Sequence, residues 1–135
     1  MTDIVKTIAS LPDLLPLKPA SKTDIADAEI QLRVSFSDEY RQYLTAYGAI
    51  MADGIEMTGI AKSQHRNVVS VTKQEWELNG SVPHTMYVIE NTGVDGIIIW
   101  QDTNGKIYQT MPNNQPKQIA KSLREYIVKF HQKAL

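Results

Sequence analysis

The sequence predicts an α+β fold: a single domain over residues 1–135, with a central antiparallel β-meander packed with N-terminal helices and a C-terminal helix. Three observations predict it. Capped segments with helical apolar spacing fill much of the first 48 residues. Three short apolar segments between 86 and 110 are separated by brief turns, the pattern of a meander. The closing stretch, 118–135, returns to helical spacing with Lys and Arg on its outer face.

The elements follow in order. Residues 2–9 predict a short helix with Ile4, Val5 and Ile8 on one side. "LPDLLPLKPA" has prolines at 12, 16 and 19, which fix φ and remove amide donors. It reads as an extended segment whose leucines pack across the domain. Residues 1–20 thus form a short helix and a Pro-rich extended stretch. "SKTDIADAEIQL" is a helix capped by Ser21 or Thr23, with Ile25, Ala28 and Leu32 as its buried stripe. Ser37 caps a second helix, "DEYRQYLTAY". Asp38 and Glu39 suit its first turn, where the helix dipole favours acids. Tyr40, Tyr43, Leu44 and Tyr47 point inward, and Gly48 stands where a left-handed cap is wanted. "GIEMTGI" (54–60) alternates as a strand. "NVVSVTKQEWEL" (67–78) stays open: Val68, Val69 and Val71 favour a strand, Thr72, Glu75, Trp76 and Leu78 a helix. "MYVIE", "GIIIWQ" and "KIYQT" are strands. In the last segment Ile119, Leu123, Tyr126, Ile127 and Phe130 form a helical stripe.

Composition narrows the function classes. Hydrophobic residues make up 42% and charged residues 21% of the chain, ordinary for a globular protein. Net charge is −1, which gives no electrostatic footing for direct nucleic-acid binding. Cysteine is absent, so disulfides, thiolate metal sites and thiol nucleophiles are excluded. "MTDIVKTIAS" does not read as a signal peptide, and no apolar run reaches the roughly 18 residues of a membrane helix. A cytoplasmic protein without a membrane or cofactor partner is expected.

The chemical motifs fail on inspection. "DTNG" (102–105) begins like a calcium loop, but the twelfth position is Asn113 and the fifth is Lys106. It reads as a hairpin turn, with Asn104-Gly105 supplying positive φ angles. "GVDG" (93–96) is likewise a turn. "GIEMTG" has P-loop glycine spacing, yet Ile60-Ala61 follow where Lys-Ser/Thr is required. His65, His84 and His131 lack metal spacing, and "SQH" (63–65) could join a Ser-His pair only by tertiary accident. No catalytic or metal-ligating set emerges. Two central carboxylates meeting across a cleft would make a small hydrolase, the least favoured reading.

What remains is binding. Acids gather in the central segments: Asp53 and Glu56 near the first strand, Glu75 and Glu77 around Trp76, and Asp95 in a turn. Loops and turns on a rigid sheet commonly carry binding surfaces. These six residues, Asp53, Glu56, Glu75, Trp76, Glu77 and Asp95, are the candidate partner-binding set, with Trp76 as an aromatic anchor.

The order of elements resembles the SUKH superfamily over roughly residues 20–130. "TDIADAEIQLRVSFSDEYRQYLTAYGAI" carries most of the likeness, with Glu29, Leu32, Tyr40, Leu44, Tyr47 and Gly48 at matching positions. "GIEMTGI", "YVIENTGVDGIIIWQDTNGKIY" and "SLREYI" resemble the later strands and closing helix. Ser37 departs from the proline often found there, but serine is also a good N-cap. The resemblance implies a non-catalytic immunity protein that binds and neutralises a cognate toxin, often a nuclease, of a polymorphic or contact-dependent system. A related domain occurs in a fungal regulator of cell-wall synthesis, so an adaptor or regulatory domain without a toxin is the alternative. The resemblance assigns no binding residues.

Overall fold

The computed structural model describes residues 3–131; the expectations for Thr2 and for 132–135 fall outside them. Helix α1 is Asp3–Ala9. The Pro-rich stretch contributes strand β1, Leu15–Pro16, at the edge of a sheet, where proline's missing amide breaks no ladder. Ser21 and Ser37 cap α2 (Lys22–Leu32) and α3 (Asp38–Tyr47), accepting from the amides of Asp24 and Tyr40. Strands β2 (Ile50–Ala52) and β3 (Ile55–Met57) complete a three-stranded antiparallel sheet with β1. A 3₁₀ turn at Gln64–Arg66 leads into α4, Val68–Leu78. The meander is β4 (Tyr87–Asn91), β5 (Ile98–Gln101), β6 (Ile107–Thr110) and β7 (Lys117–Ala120), and α5 (Leu123–Phe130) closes the chain.

Residues 67–78, open between two readings, are helical. The Asn67 side chain caps them by accepting from Val69 N and Ser70 N. Val68, Val71 and Thr72 then fall on one buried face. Burying that face outweighs the modest helix penalty of β-branched residues. The closing segment is a correction. Ile119 belongs to β7, and α5 starts only at Leu123, capped by Ser122. The Glu39 carboxylate reaches across from α3 to accept from Leu123 N at 2.7 Å and Arg124 N at 3.0 Å. Phe130 is half exposed, so the stripe ends at Ile127.

The turns also differ in detail. In the 102–105 hairpin only Gly105 has positive φ; Asn104 does not. The turn is held instead by Asp102, whose Oδ1 accepts from Asn104 N and Lys106 N and whose Oδ2 accepts from the Tyr108 hydroxyl. The residue pair with two positive φ angles is Asp95-Gly96, closed by Ile97 N donating to Val94 O at 2.9 Å.

The meander separates two cores. Tyr87, Ile89, Ile99 and Ile107 face α1, α3 and α5 with Phe36, Tyr40, Tyr43 and Leu44. Val88, Ile98 and Trp100, on the alternate face, pack with Val71, Val82 and Met86 beneath α4. The β4–β5 register shifts between Val88 and Glu90. This bulge lets Ile89 and the next residue, Glu90, both serve the α5 side, where Glu90 accepts from the Tyr126 hydroxyl at 2.5 Å. The smaller sheet joins β4 through Thr58, whose amide donates to Ile89 O and whose hydroxyl donates to Val88 O.

Candidate functional site

Helix α4 lies on the meander by its N-terminal half and lifts into a groove along its C-terminal half. Thr72 Oγ1 accepts from Val88 N at 2.9 Å and anchors the helix to β4. Beyond that point Glu75 and Leu78 form one wall. Ile98, Trp100 and Thr110 are also in the lining, and Met111 and Pro112 after β6 stand opposite. The groove encloses about 520 Å³. Trp100 is buried and its Nε1 donates to Thr110 Oγ1, so this part of the lining is fixed. Leu78 is 66% exposed and Met111 41% exposed, apolar surface left at the rim. Glu75 is half-buried beside them, and burial raises its carboxyl pKa above the ordinary value.

The six candidate residues divide on this surface. The β4–β5 turn forms a ridge. Asn91 and Gly93 line a hollow with Glu56 on one side; Asn91 and Gly96 line the groove with Glu75 on the other. Asp95 sits exposed on that ridge, beside exposed Val94. Glu56 and Glu75 thus lie on the two sides of the turn that carries Asp95, with Glu56 partnered by Arg66 at 3.6 Å. Glu77 is exposed on α4, about 200° around the helix from Glu75, and faces away from the groove. Asp53 is exposed at the β2–β3 turn. Trp76 is half-buried: its Nε1 donates to Met86 O at 3.1 Å and its ring stacks on His84 at 4.2 Å. Leu78, Val94 and Met111 were not singled out in sequence. Leu78 follows Val71 by seven residues, about 20° around the helix, so periodicity places it on the buried face and gives no signal of its exposure.

Other polar clusters are tied into the fold. Ser37, Tyr87 and Gln101 form a closed buried network that Gln101 extends to Glu39 and to Gly105 O. Glu90, Tyr126 and His131 lock the end of α5, where burial first and Glu90 second push the Tyr126 hydroxyl pKa up. Ser63 Oγ lies 2.7 Å from His65 Nδ1, but Glu56 is 4.0 Å from Nε2, outside hydrogen-bond range, and the histidine is largely exposed. Among the described residues no helix is long and apolar enough to cross a membrane.

Residues 1–132 match the family SUKH_5, described as SMI1-KNR4 cell-wall. The chain belongs to this family. A crystal structure of a protein from Pseudomonas syringae pv. tomato shares the fold, with a TM-score of 0.74 over 96% of this chain and 97% of that one, at 13% identity. No curated protein matches the chain. The positions that carry the SUKH pattern are builders of the fold. Glu29 accepts from Phe36 N at 2.8 Å and pairs with Arg41 at 2.7 Å, fastening the end of α2 to α3. Leu32, Tyr40 and Leu44 are core, and the Tyr47 hydroxyl donates to Val5 O.

Proposed function

We propose that this SUKH protein is an immunity protein that binds and neutralises a cognate toxin in the cytoplasm of the cell that makes both. Family membership supports the class. The observation that carries the surface is the α4 groove, with exposed Leu78 and Met111 beside a half-buried Glu75. Contiguous exposed apolar surface marks interaction sites, and a carboxylate set in it gives a basic side chain of the partner a partly desolvated acceptor. Asp95 extends the negative potential along the ridge, Glu77 and Asp53 add to it at longer range, and Glu56, offset by Arg66 at 3.6 Å, contributes least. Such a field speeds encounter with a basic nuclease more than it tightens the final complex. Trp76, half-buried in its stack on His84, is outside the groove lining and would serve as an apolar anchor only in an interface that reaches past the groove.

Neutralisation then needs no reaction. A tight complex that covers the toxin's active site or blocks its closure is sufficient. The test is co-expression with the product of the adjacent gene, followed by purification and a toxicity assay. A stoichiometric complex that restores growth supports the reading. An adjacent product that neither binds nor harms cells leaves the adaptor alternative standing.

A further inference from the structure

A second groove has the opposite charge and is built separately from the α4 face. It lies between the Pro-rich stretch and the loop that follows β3, and encloses about 860 Å³, within the range of ligand sites. Leu17, Pro19 and Ile60 supply apolar walls. Both walls are fixed to the α3–β2 junction by backbone. Leu17 N donates to Ala49 O, Ala20 N to Leu44 O, and Ile60 N to Gly48 O. A Cβ at Gly48 would meet Lys18 O at 2.1 Å, and one at Gly59 would meet Gly48 O at 1.9 Å, so glycine alone permits this approach.

The charge is one-sided. Lys18, Lys62 and Arg66 line the groove against one acid, Asp24. Among the described residues neither lysine forms an ion pair. Arg66 is held nearly buried, with Nε and Nη2 lacking any hydrogen-bond partner. Its nearest carboxylate, Glu56, stands 3.6 Å from Nε, too far for a good hydrogen bond. A fixed, incompletely compensated guanidinium beside two free lysines favours an anion, and apolar walls favour an anion carried on a hydrophobic chain.

We propose that this groove binds an extended acidic segment of a protein partner, with apolar side chains against Leu17, Pro19 and Ile60 and a carboxylate at Lys18 and Lys62, in the field of Arg66. The site needs nothing from Glu75 or Leu78, so it stands or falls apart from the toxin-binding reading.

The test selects a randomised dodecapeptide library on the purified chain and titrates the enriched peptides by fluorescence anisotropy. Enriched sequences are expected to place Asp or Glu beside apolar residues and to bind more weakly as salt rises. Lys18→Glu with Lys62→Glu should weaken them by about tenfold or more, and Glu75→Lys should leave them unchanged. Should charge reversal lower the melting temperature, Lys18→Gln with Lys62→Gln must still weaken binding. Failure to enrich any peptide, enrichment of basic peptides, or affinity indifferent to both lysines overturns the proposal.

Discussion

Gly48 carries two burdens at once. Its φ of 72° is costly for any side chain, and its α-carbon faces Lys18 O at a distance no Cβ tolerates. Backbone strain alone costs about 1–3 kcal/mol, and the clash adds to it. Gly48→Ala should therefore destabilise the fold by more than about 3 kcal/mol in urea unfolding, whereas Gly54→Ala, with a φ of 77° but open space around it, should cost only the strain, about 1–3 kcal/mol. Leu44 is a simpler case: fully buried among aromatic residues, it should lose about 2–5 kcal/mol on truncation to alanine. A loss below about 0.5 kcal/mol would contradict its place in the core. Trp76 separates packing from hydrogen bonding. Trp76→Phe keeps most of the ring contact and frees Met86 O, so about 1 kcal/mol of stability should go.

At the scale of elements, caps were the legible signal. Ser21 and Ser37 declare α2 and α3 in sequence because a hydroxyl three residues ahead of an amide has one obvious use. Strands of three or four residues offer too few positions to show a period, which is why β2 was not anticipated and β7 merged with α5. The four-residue step from Ile119 to Leu123 imitates a helical turn, though a strand ends between them. The acids of the candidate site were visible, but the groove was not. Leu78 and Met111 lie far apart in sequence and come to line one groove only when α4 packs on β4 at the side of the meander. The 102–105 hairpin is a test at this scale. Both Asp102 carboxylate oxygens are engaged by the turn's own donors, so micromolar calcium should leave the melting temperature unchanged. A clear rise would make the turn an ion site.

The whole molecule hides two opposed faces behind a net charge of −1: an acidic ridge by α4 and a cationic groove by the Pro-rich stretch. Its interior is unusually phenolic. Burial raises the hydroxyl pKa of Tyr40, Tyr43, Tyr87 and Tyr126. A raised folded-state value keeps full stability below the unfolded tyrosine pKa of about 10. Above it the unfolded chain releases protons that the folded chain retains, and stability falls with rising pH. Four such groups amount to roughly 5 kcal/mol per pH unit once the unfolded tyrosines are ionised. Urea unfolding at pH 9 and 11 should show a steep loss, and equal stability at the two values would contradict the buried network. The central claim is that the α4 groove is the toxin-binding face. Its most direct measurement is calorimetric titration of the adjacent gene's product into the parent and into Glu75→Lys with Leu78→Asp. Both substitutions sit on half-buried or exposed positions, so an unchanged melting temperature serves as the control. The account predicts an affinity lowered by at least about a hundredfold, near 2.7 kcal/mol; a variant that folds and binds as tightly as the parent would place the interface elsewhere.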